Sequence, residues 1–155
     1  MPFVQDLKEG QDVEHKFAEL LREKYEIEDI EFPPEWSFKR YDFKVTYKGW
    51  NVTTYEVKSD RKYPVTGNFV IEFECFGKVS WIYASTADKI VYYVWEKWWV
   101  QDREVLIERL KDTQKRKVYW WDYNASGMYV IKGTELPKLF ELLDFDEQPN
   151  AKENN

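Results

Sequence analysis

Apolar residues recur at helical spacing through residues 11–25, QDVEHKFAELLREKY. Val13, Phe17, Leu20 and Leu21 make one stripe and predict an amphipathic helix, with Asp12 placed to cap its start. Residues 26–37, which contain Pro33-Pro34, predict a short strand and then an extended loop. The period changes from helical to two at residues 38–47, FKRYDFKVTY, where Phe38, Tyr41, Phe43 and Val45 alternate with charged residues. A turn at Lys48-Gly49-Trp50 leads into NVTTYEVKSD, which alternates again, so 38–47 and 51–58 form a hairpin. After a loop containing Pro64, NFVIEFECF predicts a third strand, followed by the short stretch VSWIYAS. The run DKIVYYVWE is apolar enough for a strand buried on both faces. Asp102 is placed to cap a helix over REVLIERLKD. A strand near 117–123, a turn at Ser126-Gly127 and a strand over 128–132 follow. Thr134 is placed to cap a last helix with Leu136, Leu139, Phe140 and Leu143 facing inward. The order helix, strands, helix, strand, helix predicts an α/β (α+β) fold with a central mixed β-sheet flanked by helices. Residues 1–145 are expected to form a single domain, and 146–155 a flexible acidic tail.

Composition narrows the function classes. The chain has 155 residues and 43% hydrophobic residues, enough for one real core and too many for disorder. No apolar run approaches the roughly 20 residues of a membrane helix, and the first residues are too polar for a signal peptide. With the lone Cys75 excluding an internal disulfide framework, this leads to the expectation of a cytoplasmic protein without a membrane partner. A net charge of −6 speaks against coating nucleic acid by bulk electrostatics. Aromatic residues make up 19% of the chain, among them Trp95, Trp98, Trp99, Trp120 and Trp121. Two uses stay open for these rings: filling the core, or stacking on unpaired bases.

The chemistry concentrates in the hairpin. A three-residue loop of Lys48, Gly49 and Trp50 pairs Tyr47 with Asn51. Stepping equally along both strands then sets Asp42 opposite Glu56, with Cβ atoms about 5 Å apart. Lys58 lies farther along the same face. A two-residue loop would put the two carboxylates on opposite faces. Carboxylates this close repel unless a cation sits between them, and hard oxygen ligands suit Mg²⁺ or Mn²⁺. The alternative is a polar sheet face whose cross-strand pairs happen to include Asp, Glu and Lys.

Glu14 in DVEHKFAEL, Asp42 in RYDFKV, and Glu56 and Lys58 in YEVKSD together resemble the PD-(D/E)XK nuclease superfamily, most of all its small phage-type endonucleases and Holliday-junction resolvases. The resemblance spans roughly residues 10–95, and Tyr41 stands where the name-giving proline would be. It implies a restriction-endonuclease-like αβββαβ core. In its terms Asp42 and Glu56 bind the metal with the Val57 carbonyl, Lys58 orients the attacking water, and Glu14 assists. A first-turn acid favourable to the helix dipole is the competing role for Glu14. The implied reaction is phosphodiester hydrolysis by a metal-activated water.

Candidate phosphate contacts are Arg61 and Lys62 just beyond Lys58, Asn68 in its turn, Ser85 before Asp88, and Lys115, Arg116 and Lys117 in the basic run KDTQKRK. That run equally suits a solvated helix end. Glu72 and Glu74 either border the site or form a solvated edge. His15 is the only histidine and falls on the wet side of its helix, so Ser–His and Cys–His catalysis lack a partner. The isolated glycines offer no phosphate loop. The expectation is a metal-dependent DNA endonuclease, phage-derived and homodimeric, with branched DNA as one candidate substrate beside duplex and single-stranded DNA. The alternative is a non-catalytic nucleic-acid- or protein-binding module on the same fold that uses exposed aromatic residues.

Overall fold

Helix α1 runs over Pro2–Lys24, longer than its apolar stripe requires, and Asp12 therefore lies inside it rather than at its cap. The computed structural model describes residues 2–34, 41–59, 67–75, 77–79, 81–94, 96–120 and 126–143. Phe17, Ala18 and Leu21 are the buried stripe of α1. They pack on a six-stranded sheet built from β1 (Ile27–Glu31), β2 (Phe43–Tyr47), β3 (Val52–Ser59), β6 (Lys89–Val94), β7 (Lys97–Asp102) and β10 (Glu141–Leu143), in that spatial order. All neighbours are antiparallel except β3 and β6, which run parallel. Between β3 and β6 the chain leaves this sheet. It forms β4 (Asn68–Cys75) and β5 (Lys78–Val79), which join β8 (Arg116–Trp120) and β9 (Ser126–Lys132) in a second sheet of order β5-β4-β9-β8. The short α2 (Trp81–Ala84) then returns the chain to β6. The expected αβββαβ order is present, with β4 and β5 set into a separate sheet, and the fold is a mixed α+β one.

β6 separates two hydrophobic clusters. Its Val91 faces α1 together with Phe43, Val45, Tyr55, Val57 and Trp98. Ile90, Tyr92 and Val94 point the other way, onto Phe69, Ile71 and Ile131 of the second sheet and Leu106 and Leu110 of α3 (Arg103–Asp112). A strand buried on both faces must be apolar through its centre, as the IVYYV of β6 is. The Tyr92 hydroxyl donates to the Val70 carbonyl at 2.9 Å, linking the two sheets.

Several boundaries differ from the sequence pattern. Residues 97–102 form β7, because the chain reverses at Glu96, whose φ is 62°, and pairs back on β6. Asp102 makes no side-chain cap; its carboxylate pairs with Lys89 across the strands at 2.8 Å. Ser126 and Gly127 lie in β9, paired with Trp120 and Tyr119, rather than in a turn. A Cβ at Gly127 would meet the Phe73 ring at 3.0 Å, so glycine serves close packing there. The last helix shrinks to a 3₁₀ turn (Gly133–Glu135) and α4 (Leu136–Leu139), after which β10 pairs with β7. Thr134 sits inside the turn rather than capping a helix. Leu136, Leu139 and Phe140 are buried all the same, since a helical turn followed by a strand buries the same apolar residues.

Candidate active site

The hairpin register places the site. Phe43 opposes Tyr55, Lys44 opposes Thr54 and Val45 opposes Thr53, the register of a three-residue loop. Gly49 and Trp50 both have positive φ, 91° and 67°, and the Trp50 N–H bonds back to the Tyr47 carbonyl at 2.9 Å. The ladder stops one step before Asp42 and Glu56. The Asp42 N–H turns to the Tyr55 carbonyl at 2.8 Å, and its carboxylate accepts the Val57 N–H at 2.6 Å. Asp42 is thereby fixed at the carboxyl end of β3, the end of a parallel strand pair where ligand crevices form in open sheets.

Along β3, Tyr55 and Val57 point into the α1 cluster, so Glu56 and Lys58 point to the other face, opposite Ile90 and Tyr92 of the parallel neighbour. A clamp sets this parallel register. The Asp88 carboxylate accepts the Thr54 N–H at 2.9 Å and the Thr54 hydroxyl at 3.1 Å, and the Asp88 N–H donates back to Thr54. Glu14 reaches the cluster from α1, and its carboxyl hydrogen-bonds that of Asp42. The four residues expected to converge therefore interact, from helix α1, strand β3 and the residue just before β2.

Their electrostatics are those of acids withheld from water. Burial pushes Glu14 up to about 8, the Asp42 charge pushes the same way, and Lys58 opposes both. Burial likewise raises Asp42, against the pull of the Val57 N–H and of Lys58. Burial pushes Glu56 up to about 8, with Asp42 adding to the rise, while Lys58, a hydrogen bond with Ser85 and the charge of Arg103 oppose it. The Lys58 ammonium thus acts on all three carboxyls. With no cation added, Glu14 and Glu56 favour their protonated forms at neutral pH, and the Glu14 carboxyl is the donor to Asp42.

Glu56 Oε2 is buried with no hydrogen-bond partner. A buried carboxylate oxygen without a partner is costly unless something else binds it, and hard oxygen donors fit a Mg²⁺- or Mn²⁺-sized cation. Among the described residues, no three His, Cys, Asp or Glu side chains form a ready metal cluster. The donor set that fits is two carboxylates supplemented by a main-chain oxygen.

Ser85 is the main departure from the sequence reading. It is 4% exposed, its hydroxyl accepts the Ala87 N–H at 3.1 Å, and it bonds Glu56, so it supports the carboxylate instead of facing a phosphate. Arg103, which the sequence did not single out, donates to the Ile82 and Tyr83 carbonyls at 3.0 Å and adds its charge near Glu56. Nothing in the sequence marks Ser85 as buried; Asp88, just before β6, is what sets that strand on Thr54. Asn68, Lys115 and Arg116 gather elsewhere, on the second sheet. Lys117 lies over the Phe73 ring at 5.7 Å. Glu72 and Glu74 belong to that second sheet as well. His15 is exposed and stacks on Phe32 at 4.2 Å. Arg61, Lys62 and the tail from 146 onward lie outside the described residues, as do Trp95 and Trp121. Trp98 is a core ring.

No protein-family model matches the chain, and no curated protein matches it. Among solved structures the chain is similar to the bacterial homing endonuclease I-Ssp6803I, at 16% identity and a TM-score of 0.46, covering 79% of this chain and 76% of that one. A likeness of that degree assigns no residue a role, and the functional reading rests on the side chains of this chain. Among the described residues, no helix is long and apolar enough to cross a membrane.

Proposed function

We propose that the protein is a metal-dependent DNA endonuclease of the PD-(D/E)XK type. The observation that carries this reading is the convergence of Glu14, Asp42, Glu56 and Lys58 at the carboxyl end of β3, with one Glu56 oxygen buried and unpartnered. Asp42 and Glu56 would hold Mg²⁺ or Mn²⁺, with the Val57 carbonyl as a main-chain donor. The cation would supply Lewis acidity toward the phosphate and toward an attacking water.

The remaining roles belong to the chain. Asp42 is oriented by the Val57 N–H and by the Glu14 carboxyl, and the cation would take the place of the Glu14 proton on it. Ser85 and Arg103 steady Glu56 and favour its charged form. Lys58 provides a fixed positive charge that stabilises the three carboxylates when they ionise, and it orients a water for in-line attack. Glu14 takes and returns a proton beside Asp42, the role its raised affinity for protons suits. Branched DNA as preferred substrate, a homodimer that cuts two strands, a phage origin and an intracellular setting are further parts of the proposal.

The test is cleavage of plasmid, single-stranded and four-way-junction DNA with Mn²⁺ or Mg²⁺, beside reactions with chelator or with Lys58→Ala protein. Lys58 is exposed, so its removal should spare the fold while lowering cleavage at least about 100-fold, the scale of one lost electrostatic stabiliser. No cutting of any substrate by the parent protein would instead favour a binding module.

A further inference from the structure

The basic run that is only a charge run in sequence acquires a shape in the second sheet. A cavity of about 310 Å³ opens there, lined by Asn68, Gln114, Lys115, Arg116, Lys132 and Glu135. These residues come from three separated stretches of the chain, and strand pairing sets them side by side. Asn68 opposes Lys132, and Arg116 opposes Val130, two residues back along β9. With period-two alternation, Asn68, Lys132 and Arg116 share one face. Arg116 and Lys132 stand diagonally on neighbouring strands, about 7–8 Å apart.

The charges around this cavity are not equally available. Glu135 pairs with Lys138 at 3.2 Å, which offsets the negative charge of the rim. Lys115 donates to the Leu110 carbonyl at 2.6 Å and lies over the Tyr129 ring, so it serves the carboxyl end of α3. Arg116 and Lys132 are exposed and have no ion-pair partner among the described residues. The cavity thus presents two cations without an ion-pair partner among the described residues, and Asn68 and Gln114 also line it. Two separated cations match phosphate oxygens, and the guanidinium offers a bidentate fork.

We infer that this cavity is a nucleic-acid backbone site, in which Arg116 and Lys132 each take a phosphate. The inference builds on the nuclease reading for its ligand class, and it assigns the anchoring of the substrate to a sheet separate from the carboxylate cluster. This explains how a chain of net charge −6 holds DNA: the attraction is local, and it is separated from the three acids that would repel the backbone.

The test measures binding without cleavage. Fluorescently labelled duplex DNA is titrated with the protein in chelator, over a range of salt concentrations, for the parent and for Arg116→Ala/Lys132→Ala. Each phosphate contact contributes about 0.9 to the slope of log K against log salt. The double variant should therefore lose about 1.8 of that slope and bind at least tenfold more weakly. A control, Lys97→Ala/Lys111→Ala, removes equal charge outside the cavity and should leave the slope unchanged. Equal loss in the control would mean net charge alone acts, and an unchanged slope in the cavity variant would mean no contact there; either overturns the inference. Inorganic phosphate or a mononucleotide binding at the cavity while DNA binding stays insensitive to the variant would overturn it in favour of a small phosphate ligand. Because no metal or cleavage enters this assay, a failed cleavage experiment and a failed backbone site give separate results.

Discussion

Replacing Glu56 by glutamine should make the metal-free protein more stable as the pH rises. The Glu56 carboxyl is pushed up to about 8 in the folded chain from an ordinary value of 4.5, chiefly by burial. The folded state therefore holds this proton more tightly than the unfolded chain does. For such a group the stabilising contribution is fully present below pH 4.5 and is lost as pH rises through 8. Between pH 5 and pH 8 this linkage removes about 3 kcal/mol from the parent. Glutamine carries no charge at any of these values and keeps a carbonyl to accept from Ser85. Urea unfolding in chelator should show Glu56→Gln within about 1 kcal/mol of the parent at pH 5 and about 2–3 kcal/mol more stable at pH 8. Added Mn²⁺ at about 1,000 times its dissociation constant should reverse the order, since it adds about 4.1 kcal/mol to the parent and glutamine forfeits a charged donor. A stability difference independent of pH, or a variant weaker than the parent at pH 8 without metal, would refute a desolvated, partnerless carboxylate at this position.

Trp50→Asn should raise stability by about 0.5–1 kcal/mol in chemical denaturation, since Trp50 holds a φ of 67° with a bulky side chain that is 78% exposed. Tyr92→Phe removes the hydroxyl donor to the Val70 carbonyl and should lower stability by about 1 kcal/mol, with the loss also visible as faster amide exchange in β4. Phe17→Ala should lower it by about 3–5 kcal/mol, because that fully buried ring packs on Phe43, Tyr55 and Trp98; a loss below 1 kcal/mol in urea unfolding would mean α1 is not seated on the sheet as described.

Sequence alone determined the parts of this protein that depend on local periodicity. The apolar stripe of α1 and the alternation of the 43–59 hairpin follow from the spacing of side chains. Because the register depends on a loop with glycine at its centre, counting from Lys48-Gly49-Trp50 was enough to bring Asp42 toward Glu56. The apolar run of β6 likewise announced a strand with two covered faces. Tertiary structure decided what partners could not announce. Residues 97–102 have no strong alternation of their own and become a strand only because β6 offers its edge. Residues 141–143 read as the end of a helix, yet β7 presents an open edge, and pairing with it satisfies the backbone better than another helical turn. Ser85 looked like a surface hydroxyl, and only its place just after α2, which packs against β4, made it a buried partner of Glu56. The raised proton affinity of the three acids has the same origin. Desolvation is a property of what surrounds a carboxyl in space, and no neighbour in the sequence carries it.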